Sequence, residues 1–73
     1  MKPLREWRAE RLMSSKTLAA AAGVSNKTVI QIEHGRQLPT FRTIGRITAA
    51  LGVAPGEVEE FAAAIGERGK DAA

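Results

Sequence analysis

The chain has 73 residues, a net charge of +3 and a pI near 10.0, which bounds it to one domain. The absence of cysteine and the single histidine exclude disulfides, thiolate metal sites and multi-histidine metal sites. No apolar run approaches the roughly 18 residues of a membrane span, and MKPLREWRAER lacks the apolar core of a signal peptide; the expectation is a soluble cytoplasmic protein without a cofactor.

A chain this short buries only about 60 % of its unfolded surface. It must pack efficiently, dimerise, or both. Residues 1–50 carry nine Lys/Arg against three Glu, a local charge of +6, and residues 51–73 carry two against five Asp/Glu, a local charge of −3. A basic body with an acidic end suggests a polyanionic partner for the first part. Ordinary solubility charge is the alternative.

Helix formers dominate and no apolar run alternates with period two, so the fold class is all-α with five short helices. The first is expected over about 3–12, with Pro3 in its first turn. Leu4, Trp7, Arg8 and Arg11 share one of its faces. The second is expected over 15–22, with Ser14 as N-cap and Leu18, Ala19 and Ala22 inward. Gly23 ends it. The third, capped by Ser25, runs to His34, and Gly35 ends it. Two helices joined by a short glycine-containing turn form a helix-turn-helix over about 15–34.

Residues 36–39, RQLP, read as a loop. Thr40 caps a fourth helix over 41–51, with Phe41, Ile44, Ile47 and Leu51 as its apolar stripe. Pro55 opens the fifth, with Glu57 in its first turn and Val58, Phe61, Ala62 and Ile65 as its stripe. Residues 66–73, GERGKDAA, read as a frayed tail. The domain is therefore expected over 1–66, with a flexible end at 67–73. Trp7, Met13, Leu18, Val24, Val29, Ile32, Ile44, Ile47, Leu51, Val58 and Phe61 are the expected core.

The segment LA-x-x-x-G-V-S, then V-x-x-I-E-x-G, then P-T, then A-x-x-L-G-V occurs in order across residues 4–61. In this it resembles the XRE family, the Cro and phage-repressor type of helix-turn-helix protein. The resemblance implies a lambda-repressor-like domain whose second helix crosses the DNA backbone and whose third enters the major groove. It implies that Arg8 pairs with Glu33 and that Asn26, Lys27 and Gln31 read bases; Ile30 joins them as a base-reading candidate through its place on the same outer face. The resemblance also places Ser15, His34, Arg36, Thr40 and Arg42 where phosphate contacts fall, and Lys16, Ser25 and Thr28 are read as further phosphate candidates beside them. Two positions depart from the pattern. Leu12 replaces the glycine that usually ends the first helix, which implies a differently built turn. Ala22 replaces a common leucine, leaving the core underfilled or filled by Trp7.

The chemistry of those side chains fits. Successive helix positions rotate by about 100°, so with Val29 and Ile32 inward, residues 26, 27, 30 and 31 face outward together. Asn and Gln can bond adenine edges, Lys can donate to guanine, and an isoleucine can pack on a thymine methyl. For Lys27 the alternative is a phosphate, for Ile30 a partner protein, and for Asn26 and Gln31 a plain solvated face. Arg8 is read as structural, with a phosphate as its second reading. Lys2, Arg5, Arg11 and Arg46 are read as solvated surface.

The function expected is a sequence-specific double-stranded-DNA-binding transcriptional regulator, a repressor acting as a homodimer on a palindrome. The dimer surface is expected at the end of the fourth helix, the fifth helix and its extension, around Val53, Pro55, Val58 and Ile65. The rival reading is a protein-interaction module, either an antitoxin bound to a toxin or a coactivator. No paired carboxylates, metal cluster or phosphate-cradling glycine loop suggests an enzyme.

Overall fold

The computed structural model describes residues 1–72, and side chains through residue 69. It contains α1 (Leu4–Glu10), α2 (Ser15–Ala22), α3 (Asn26–Glu33), α4 (Phe41–Leu51), a 3-10 turn (Pro55–Glu57) and α5 (Glu59–Ala72). None of the described helices is long and apolar enough to cross a membrane. The all-α, five-helix architecture expected from the sequence is present.

One core joins the helices. Leu4, Leu18, Val29, Ile32, Ile47, Val58 and Phe61 are almost wholly buried, and Ala19, Ala22, Ile44, Leu51 and Ala64 complete the cluster. The small residues matter as much as the large ones. Ala19 and Ala22 face inward on α2, which packs against both α3 and α4. A methyl group at each position lets two helices approach α2 closely.

Several expectations are corrected. Phe41 is 55 % exposed rather than part of the α4 stripe, because it stands in the first turn, before the buried positions begin at Ile44. Trp7 and Met13 pack only against the edge of the core, as does Val24. The fifth helix does not open at Pro55. A single 3-10 turn ends at Val58, whose extended backbone (φ −101°, ψ 121°) breaks the helix before α5 starts. Val58 is fully buried, not surface, and Ala64 rather than Ala62 lies inward with it. The segment read as a frayed tail is helix as far as Ala72; residue 73 lies outside the described residues.

The turn after α1 departs from the sequence reading in a different way. Leu12 adopts φ +56°, the left-handed conformation that a glycine takes without cost. The N–H of Met13 reaches back to Arg8 C=O and that of Leu12 to Ala9 C=O. The turn is thus built as a glycine turn is built, with a leucine held in it.

The N-terminal segment meets the start of α5. Lys2 N–H donates to Glu57 C=O, and Glu59 N–H donates to Lys2 C=O. The Oε1 of Glu60 accepts from Leu4 N–H at 2.7 Å. Pro3, the N-cap of α1, supplies no side-chain cap, so a carboxylate from α5 satisfies that helix end and complements its dipole.

Candidate nucleic-acid interface

The helix-turn-helix is set by two αL glycines and two serine caps. Gly23, at φ +70°, closes α2, and Gly35, at φ +71°, follows α3. A Cβ at Gly23 has room, 3.8 Å from Arg46, so the backbone conformation is what calls for glycine there. Ser14 Oγ accepts from Thr17 N–H and Ser25 Oγ from Thr28 N–H, each at 3.1 Å. Thr40 repeats the arrangement with Thr43 at 3.2 Å.

These three caps share a chemistry. In each, the residue three places on is a threonine whose hydroxyl meets the capping hydroxyl. A capping box would place Glu or Gln there. The first turns of α2, α3 and α4 hold no acidic residue, whereas Glu6, Glu57, and Glu59 with Glu60 stand in the first turns of α1, the 3-10 turn and α5. The positive ends of α2, α3 and α4 are therefore left without a neutralising carboxylate, which suits approach by phosphate. The S/T-x-x-T spacing at 14/17, 25/28 and 40/43 was readable in the sequence and went unread.

On α3, Val29 and Ile32 are buried, Lys27 is exposed, and Asn26, Thr28, Ile30 and Gln31 are half-buried. Asn26 Oδ1 and Gln31 Oε1 lie out of contact with water and have no hydrogen-bond partner. Amide side chains in ordinary structural roles are satisfied. Those two oxygens are closed off from the surface as they stand, so a base contact through them requires the amides to rotate outward. Ser25 and Thr28 share one hydroxyl hydrogen bond in the cap, which leaves one hydroxyl proton of the pair uncommitted. His34 caps the C-terminus of α3 and is exposed.

The basic residues divide into two groups. Lys2 pairs with Glu10 and stacks over the Trp7 ring, 4.0 Å from its centroid, with Arg11 on the same ring at 5.4 Å. Arg11 Nε donates to Leu51 C=O at 3.0 Å, and Arg46 Nη1 to Gly23 C=O at 3.2 Å. These three were read as solvated surface, but the two arginines satisfy carbonyls at the ends of α4 and α2. Arg8 Nε and Nη2 donate to Glu33 at 2.8 and 3.1 Å, and Nη1 donates to Met13 C=O at 3.1 Å. The hydrogen bond to Glu33 is the main reason that the Arg8 pKa is raised, against the opposing effect of burial.

The second group is free. Lys16, Lys27, Arg36 and Arg42, with Arg5, are exposed and enter no side-chain hydrogen bond or ion pair among the described residues. Lys16 and Lys27 lie in the first turns of α2 and α3. Arg36 and Arg42 flank the loop into α4, whose cap is Thr40. Ser15 opens α2 and is half-buried.

The arrangement can present cations, amides and uncapped helix dipoles to a polyanion. A family model described as helix-turn-helix, HTH_3, matches residues 4–58. Searches of curated proteins and of solved structures return no significant match. Since the family match covers well over half of the chain, the protein belongs to the XRE-type helix-turn-helix family of DNA-binding transcription regulators.

Proposed function

We propose that the protein binds double-stranded DNA sequence-specifically, with α3 in the major groove, and represses transcription as a cytoplasmic homodimer on a palindromic operator. The observation that carries this reading is the outer face of α3. It sets the exposed Lys27 beside the half-buried Asn26, Ile30 and Gln31, a cation, two amides and an aliphatic group on one side of the helix. Asn26, Lys27, Ile30 and Gln31 are assigned to base edges. Ser15, Lys16, Ser25, Thr28, His34, Arg36, Thr40 and Arg42 are assigned to phosphates, which position the domain without carrying sequence information.

A single small module reads few base pairs, and two modules on half-sites one helical turn apart supply the missing discrimination. The exposed Ile65 and Pro55, with the half-buried Val53, support a dimer surface on the acidic end. Val58 drops out of that surface because it is core. Dimerisation there leaves the basic face free.

The test is binding to duplex DNA across a salt series. Each neutralised phosphate contributes about 0.9 to the slope of log affinity against log salt, so a steep negative slope is expected. A flat dependence rejects the DNA reading. Stable capture of a protein partner together with that flat response favours the interaction-module alternative.

A further inference from the structure

Helix α5 buries Phe61 and Ala64 completely. Position 68 lies seven residues beyond Phe61 and four beyond Ala64, so it continues the same helix face. The core has ended at that height, and the side chain instead meets the loop between α3 and α4. Arg68 Nε donates to Pro39 C=O at 2.7 Å, and Nη2 donates to Leu38 C=O at 3.1 Å.

That loop has little else to hold it. Arg36 N–H still belongs to the end of α3, donating to Gln31 C=O, and Thr40 C=O already accepts from Ile44 in α4. Between them, residues 37–39 make no backbone-to-backbone hydrogen bond among the described residues. Pro39 is buried, while Leu38 is 48 % exposed. The loop is therefore fixed by one buried proline ring and one guanidinium fork. Its two ends are Arg36 and the Thr40 cap of α4, with Arg42 just beyond.

We propose that Arg68 is a positioning residue for DNA binding. By gripping two successive carbonyls it holds residues 36–40 in the geometry that presents Arg36, Thr40 and Arg42 to phosphate, and so couples DNA affinity to the later turns of α5. The inference rests on the DNA-binding reading above. A planar fork suits this role because it spans two acceptors at once, which a lysine ammonium does on a far more flexible stem. With Nε and Nη2 committed to carbonyls, Arg68 acts on DNA through the loop.

The experiment compares the wild type with Arg68→Ala and Arg68→Lys on mixed-sequence duplex DNA across a salt series. Backbone 15N order parameters of Gln37 and Leu38, whose amides need no hydrogen bond to report motion, are measured in the free proteins, and melting temperature checks that each is folded. Arg68→Ala is expected to lower the order parameters in the loop but not in α2 or α3. It is expected to lower affinity about tenfold and make the salt slope shallower by about 1. Across both variants, loss of affinity must track loss of loop order. Loop order that falls while affinity holds, or affinity that falls while the loop stays ordered, overturns the proposal. If Arg68→Ala fails to fold, Arg68→Lys carries the same comparison. A wild type without salt-dependent binding removes the DNA reading itself, a different result from a wild type that binds and variants that bind equally well.

Discussion

Arg8 and Glu33 join α1 to the last turn of α3 through two parallel hydrogen bonds, Nε to Oε2 at 2.8 Å and Nη2 to Oε1 at 3.1 Å. The third nitrogen of the same guanidinium holds the turn after α1 at Met13 C=O. One side chain thus sets the end of α3, the α1–α2 turn and α1 relative to one another. Only 9 % of the Glu33 side-chain surface is exposed.

Arg8→Ala is expected to destabilise the fold by about 2–3 kcal/mol, measured by urea unfolding. Removing one member of a fully buried pair costs about 3–5 kcal/mol, and the partial exposure of Arg8 reduces that. Its raised pKa fixes the pH behaviour. A cation whose pKa rises on folding contributes in full below its unfolded value, so the arginine side of this contribution fades only in strongly alkaline solution. An unfolding midpoint equal to that of the wild type contradicts the pair's structural role.

Leu12→Gly is expected to stabilise the protein by about 1 kcal/mol. Leucine at φ +56° carries a left-handed penalty of roughly 1–2 kcal/mol, offset in part by the greater freedom of glycine in the unfolded chain. The side chain is 94 % exposed, so its removal sacrifices almost no burial. A lower urea midpoint for the glycine variant overturns this account of the turn.

Asn26→Ala and Gln31→Ala should separate binding from stability. Each wild-type amide keeps an oxygen that is both dry and unpartnered, so truncation leaves the melting temperature unchanged or higher. On DNA, each variant should lose about 1–3 kcal/mol of discrimination at one base position. A lower melting temperature with unchanged base preference assigns these residues to structure instead.

Lys27→Ala tests the remaining ambiguity on α3. If Lys27 reads a guanine, preference relaxes at a single position by about 1–3 kcal/mol. Equal weakening on all sequences, with a salt slope smaller by about 1, reassigns it to phosphate.

The elements legible in the sequence were those with a local signal. Ser25 before α3, Gly23 and Gly35 after α2 and α3, and the alternation of Val29 and Ile32 with polar neighbours define the helix-turn-helix without tertiary information. The stripe of α5 was harder. Val58 breaks the helix because it is drawn into the core with the Lys2 segment alongside it, a contact 56 residues long in sequence that no window reveals. The roles of Arg11, Arg46 and Arg68 were hidden for the same reason. A carbonyl at a helix end or in a loop has no sequence signature of its own, and an arginine that satisfies one looks like any surface charge. The extension of α5 through Gly66 and Gly69 ran against glycine's poor helix propensity, which the contacts of Arg68 with the α3–α4 loop help to offset.

Selection of bound sites from random duplex DNA tests the central claim most directly. The expected result is an enriched motif with two half-sites about 10–10.5 base pairs apart, centre to centre, in which Asn26→Ala and Gln31→Ala each relax one position per half-site. Retention of DNA without any enriched sequence would contradict it.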